Sequence, residues 1–121
     1  MNHNAIHILP FDINEDEINP CYYPSEWLFE NLNSDFVILL TDDDFDQLHR
    51  SQIISIVNEE NDSMIGCYED GILFENSIKE NILGRIRNIK PKLAIDKHIH
   101  APLIRLLEIA IANNRNVYFQ F

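Results

Sequence analysis

The stretch from Pro102 to Asn113 constrains this chain more than any other. Leu103, Ile104, Leu106, Leu107, Ile109 and Ile111 leave Arg105 and Glu108 as the main polar breaks. A helix apolar on nearly all sides is stable only when most of them are covered. The segment therefore predicts a central last helix with the rest of the chain packed round it. Pro102 suits its first turn, and Asn113-Asn114 can cap its end.

The remaining elements follow from shorter signals. Residues 5–9 alternate weakly and are read as a strand closed by Pro10. Residues 12–19 carry four acids and are read as a solvated loop or single turn. Ser25 can cap a short helix reaching Asn31. Phe36-Val-Ile-Leu-Leu is a continuous apolar run, the pattern of a central strand. Thr41 with its following acids marks a helix start, and that helix is predicted to run to about Asn58. Gln52–Val57 is rich in β-branched residues, so a strand there stays open. Met64–Tyr68 and Ile72–Phe74 flank Asp70-Gly71 and predict a tight hairpin. Ser77-Ile-Lys-Glu80 reads as a capping box before Ile78, Ile82, Ile86 and Ile89 at helical spacing. Pro91 ends that helix. Val117–Phe121 is read as a terminal strand. The sum is one α+β domain over residues 1–121, a mixed β-sheet with packed helices.

Charge divides the chain in two. Residues 1–63 hold fourteen Asp or Glu and one base, Arg50, whereas residues 64–121 hold six acids and eight Lys or Arg. The net charge is −11, yet hydrophobic residues make up 45%, so the acidity is that of a folded surface. Such a protein is expected to bind a basic partner and to be repelled by anionic lipid and nucleic acid. The Met1-Asn-His-Asn-Ala start lacks a basic leader, and the longest apolar run, Phe36–Leu40, is too short for a bilayer. Cys21 and Cys67 fit no metal spacing and are read as two buried thiols, with a disulfide between them as the alternative. The location these features predict is cytoplasmic.

Catalytic patterns are weak. Asp42-x-Asp44-x-Asp46 begins like a calcium loop, but Gln47 stands where Gly is needed and Ile53 where the bidentate Glu is needed. A two-carboxylate magnesium site remains open there, beside the plainer reading of helix-dipole acids. His98-x-His100 could offer two zinc ligands from a loop or strand, but zinc needs three or four. No glycine-rich phosphate loop or nucleophile elbow occurs. No cofactor, no metal and no enzymatic activity are therefore expected. Tyr22, Tyr23 and Trp27 lie beside the acids, as in a binding hot spot, although Trp27 also reads as core.

The acids named by this reading as partner-binding are Glu15, Asp16 and Glu17, then Asp42, Asp43, Asp44 and Asp46, then Glu59, Glu60 and Asp62, with Tyr22 and Tyr23. With Asp12 they make the chain resemble the small acidic immunity proteins of bacterial toxin–immunity systems, including those of contact-dependent growth inhibition. That resemblance implies one-to-one binding of a cognate basic toxin domain, often a nuclease, in the cytoplasm, with no nucleic acid and no membrane as partner. An acidic adaptor or structural subunit and a small metal-dependent enzyme are the alternatives. A nucleic-acid mimic is also acidic, but it should carry acids along its whole length, and the slightly basic second half speaks against it.

Overall fold

The computed structural model describes residues 4–19, 23–66, 69–89 and 94–121, with side chains at all of these except 23 and 94–98. His3, Cys21, Tyr22, Cys67 and Pro91 lie outside the described residues, as do the side chains of Tyr23 and His98.

The chain forms an α+β domain. Its strands are β1 (Asn4–His7), β2 (Val37–Leu40), β3 (Gly71–Leu73) and β4 (Val117–Gln120). Its helices are α1 (Tyr23–Glu30), α2 (Asp42–Arg50), α3 (Gln52–Asn61), α4 (Asn76–Arg87) and α5 (Ala94–Asn113). The sheet order is β2-β1-β4-β3, with β1 and β4 at its centre. Every described pairing is antiparallel, where a mixed sheet was expected.

Ser51 explains the difference. One helix from Thr41 to Asn58 would carry the chain to the opposite end of the sheet. Instead Ser51 adopts extended backbone, ends α2, and caps α3 by accepting from the Ile53 amide at 3.3 Å. A serine offers the backbone this alternative to helix. Two helices in place of one break the single long crossover, and β3 enters running against β4. In α3 the β-branched run is helical, because Ile53, Ile54, Ile56 and Val57 are all buried while Ser55 faces out. Packing overrides strand propensity here.

The two sheet faces are covered differently. Ile6, Ile38, Leu40, Leu73, Val117 and Phe119 join the main core under α2–α5. The α5 residues Leu103, Leu106, Leu107 and Ala110 are almost wholly buried, as the apolar pattern demanded. The other face carries Ala5, His7, Tyr118 and Gln120. There α1 lies over it, with Ser25 accepting from the Gln120 amide at 2.7 Å and Trp27 stacked on His7.

Four local expectations change. Of the expected 64–68 strand, the described residues 64–66 form none; the Asn58 side chain instead holds Ile65 through both its amide and its carbonyl, and Gly66 bridges to Glu69. Gly71 begins β3 rather than turning a hairpin. A Cβ there would overlap the side chain of buried Ile65. The N-cap of α4 is Glu75 without a side-chain bond, so Ser77 and Glu80 fall inside the helix. Finally, α5 starts at Ala94 and runs through Pro102. Proline in a helix interior costs about 3 kcal/mol, and the buried stripe from Ile99 to Ala110 outweighs it.

Candidate functional site

The acidic first turn of α2 is built by its cap. The Thr41 hydroxyl accepts from the Asp44 amide and the Asp44 carboxylate accepts from the Thr41 amide, both at 3.1 Å. Asp44 is thereby committed to the helix end. Asp42, Asp43 and Asp46 remain exposed on a rigid turn. On the inner side Phe45 packs on His49 at 4.3 Å and on Phe121 at 5.1 Å between ring centroids. The end of β4 thus braces the acidic turn.

A second acidic segment is pinned by a buried polar network. Glu15 lies in a 3-10 turn, Glu15–Glu17, capped by Asn14. Its carboxylate accepts from the Tyr118 hydroxyl at 2.6 Å and the Asn116 amide at 3.0 Å, and faces the Arg115 guanidinium at 3.4 Å. Arg115 also donates to the Pro10 and Ile13 carbonyls at 2.6 and 2.7 Å. Lys79 donates to the Arg115 carbonyl at 2.5 Å and to Asn76 at 2.9 Å. Burial pushes the Lys79 ammonium below its usual range, and Glu15 partly offsets this. Burial likewise raises the Tyr118 phenol, with the bond to Glu15 adding to it. Glu15, read from the sequence as partner-binding, is therefore a structural anchor. It holds Asp12, Asp16 and Glu17 exposed beside it.

The third group is partly neutralised. Glu59 and Glu60 both pair with Arg85, at 2.9 and 3.3 Å. Asp62 is exposed in left-handed conformation at the end of α3.

These contacts change the meaning of the charge division. Lys79 and Arg115 are buried, Arg85 serves Glu59 and Glu60, and Arg87 lies 3.5 Å from Glu108. Two of the eight bases in the second half are thus buried, and two more sit in exposed ion pairs. Its acids Glu69, Asp70, Glu75, Glu80 and Glu108 are all exposed. Sequence reasoning missed this surface because it summed charges without placing them. One signal was present: Lys79 shares a helical stripe with Ile82, Leu83 and Ile86, the buried face of α4.

Among the aromatics, Trp27 is half-buried and stacks on His7 at 5.9 Å, and Tyr118 stacks on the same ring at 5.3 Å. His7 is wholly enclosed, and neither ring nitrogen has a partner in good hydrogen-bond geometry. Desolvation holds it down at about 4, with the Gln120 side chain offsetting only part of the effect.

His98-x-His100 lies in α5, where positions two apart are separated by about 200° and do not share a side. His100 instead contacts the Ile86 carbonyl at 2.6 Å. Among the described residues no group of three His, Cys, Asp or Glu could hold a metal, and no helix is long and apolar enough to cross a membrane.

No protein-family model matches the chain, and no curated protein matches it. Among solved structures it is similar to the Neisseria DNA mimic protein DMP12, with a TM-score of 0.77 at 18% identity over 98% of this chain and 99% of the other. At that identity the likeness is one of fold. It corrects the expected partner: the whole-chain match is a DNA mimic protein and not an immunity protein. The cognate toxin domain, and the exclusion of anything related to nucleic acid, are therefore not carried forward.

Proposed function

We propose that this protein binds another protein through its acidic surface and acts as a DNA mimic. In this reading its carboxylates take the place of phosphates on a DNA-binding protein. The observation that carries it is the burial of Lys79 and Arg115, which leaves exposed acids in the second half as well as the first. With Lys79 and Arg115 buried and Arg85 and Arg87 paired, exposed acids come from both halves of the chain. The slightly basic second half was the reason for setting a mimic aside, and burial removes much of its force. A surface built for phosphate contacts meets such carboxylates with the same charge complementarity. The frame is suited to the task, since a helix cap fixes the acids of α2 and a buried network fixes those near Glu15. Likeness of fold to a DNA mimic protein supports the same reading. The role proposed is binding, without catalysis.

The test is competition. The tagged protein is used to capture partners, and each captured protein is then titrated with it in the presence of fluorescent duplex DNA. Displacement of the duplex, with an affinity that falls as salt rises, is the expected result. A partner whose DNA binding is unaffected, or that binds DNA and this protein simultaneously, overturns the mimic reading.

A further inference from the structure

A cavity of about 470 Å³ opens where the N-terminal end of α1 meets β3 and β4. Its size is that of a ligand pocket. Pro24, Ile72, Phe74 and Tyr118 give it apolar and aromatic walls, and Asp70 and Gln120 supply its polar groups. Phe74 stands 58% exposed at its mouth, one of several large apolar side chains that the fold leaves uncovered.

The walls are held in place. The Tyr118 hydroxyl is bonded to Glu15 and its ring is stacked on His7. Gln120 donates to Ser25 across the sheet–helix junction. Asp70 accepts from the Phe121 amide with Oδ1 at 2.8 Å. That bond orients the carboxylate and leaves Oδ2 as an anionic acceptor at the exposed edge of the cavity. The occupant must therefore be a donor, carry positive charge, and present flat apolar surface to Phe74 and Ile72. An ammonium meets the charge but not the shape. A guanidinium meets both, because it is planar, weakly hydrated, stacks on aromatic faces and pairs with carboxylates.

We infer that this cavity is the anchor pocket of the interface and receives an arginine side chain of the DNA-binding partner, its guanidinium on Asp70 and its stem along Ile72 and Phe74. The inference deepens the mimic reading and rests on it for the identity of the partner. It adds an apolar-walled contact point beside Asp70 to a surface of exposed carboxylates. In most interfaces a few enclosed contacts dominate and the exposed rim contributes little.

Butylguanidinium chloride is the probe, followed by amide shifts in two-dimensional NMR at constant ionic strength. Butylammonium serves as the comparison. Saturable shifts centred on Ile72, Phe74 and Gln120 are expected, with butylammonium at least about fivefold weaker. Asp70→Asn keeps the oxygen that accepts from Phe121 and removes the charge. It should weaken binding about tenfold while leaving the thermal midpoint within a degree or two, as for a surface change. Phe74→Ala, at an exposed position, should weaken it as well. Non-saturating shifts as large at Asp42–Asp46 as at the cavity overturn the pocket, and so does undiminished binding by Asp70→Asn. The duplex-competition assay separates the two claims. A protein that displaces DNA while its cavity ignores butylguanidinium retains the mimic reading and loses the pocket. One that binds butylguanidinium in the cavity but displaces DNA from no captured partner loses the mimic reading alone.

Discussion

Single residues decide the pH response and the rigidity of the acidic segment. His7 is buried neutral between Trp27 and Tyr118 and is held at about 4 by desolvation. An unfolded chain protonates the same ring near 6.5. Between those values the unfolded state binds the proton and the folded state does not, so stability is lost as pH falls through that window. His7→Phe keeps the stacking and removes the titration. Urea unfolding at pH 7.5 and 4.5 should show the variant losing about 2–3 kcal/mol less than wild type. An equal loss in both proteins would place the acid sensitivity elsewhere. Glu15 and Asp16 make a second comparison between adjacent acids. Glu15→Ala removes the partner of buried Arg115 and should cost about 3–5 kcal/mol. Asp16→Ala, on an exposed side chain, should stay within about 0.5 kcal/mol. Chemical denaturation of the two variants measures both.

At the scale of elements, legibility followed how local the cause was. Thr41 and its acids announced a helix start, and the capping box is there. The apolar run of α5 announced burial, and Leu107 is fully enclosed, so Leu107→Ala should cost about 2–5 kcal/mol. The Ser77–Glu80 pattern matched the same capping motif and failed. The α4 start lies earlier, with Glu75 as N-cap, and Asn76 in its first turn donates to Asn114 at 2.6 Å across 38 residues, a partner that no local window contains. Thr41→Ala should therefore lower stability by about 1 kcal/mol, and Ser77→Ala should leave it within about 0.5 kcal/mol. Equal effects in thermal melts would contradict the assignment of caps. Pro102 misled for a related reason, since its preference for a first turn is local and the burial that carries α5 through it is not. The candidate site was legible to the same extent. Asp42 and Asp43 are exposed as their position in a first turn suggests, and Asp46, one turn further on, is exposed as well. The role of Glu15 depends on Arg115 and Tyr118, a hundred residues away, and could not be read from its neighbours.

At the scale of the whole molecule the question is whether charge acts through one segment or through the entire surface. The sequence divides sharply, but folding hides Lys79 and Arg115 and pairs Arg85 and Arg87 with acids, and among the described residues exposed acids come from both halves. Electrostatic steering depends on the field summed over all exposed charges, and salt screens it over about 10 Å at 0.1 M. Two variants of equal charge change test this against a captured DNA-binding partner. One carries Asp42→Asn, Asp43→Asn and Asp46→Asn. The other carries Glu69→Gln, Glu75→Gln and Glu80→Gln, all exposed and all from the second half. If the mimic presents acids from both halves, stopped-flow association at low salt should slow in both, by about three- to tenfold, and the difference should shrink as salt rises. Dissociation should change less, because rim charges are worth about 0–1 kcal/mol each. A loss confined to the first variant would return the interface to the N-terminal acids. Association that ignores salt in both would remove steering, and with it the physical basis for treating these carboxylates as stand-ins for phosphate.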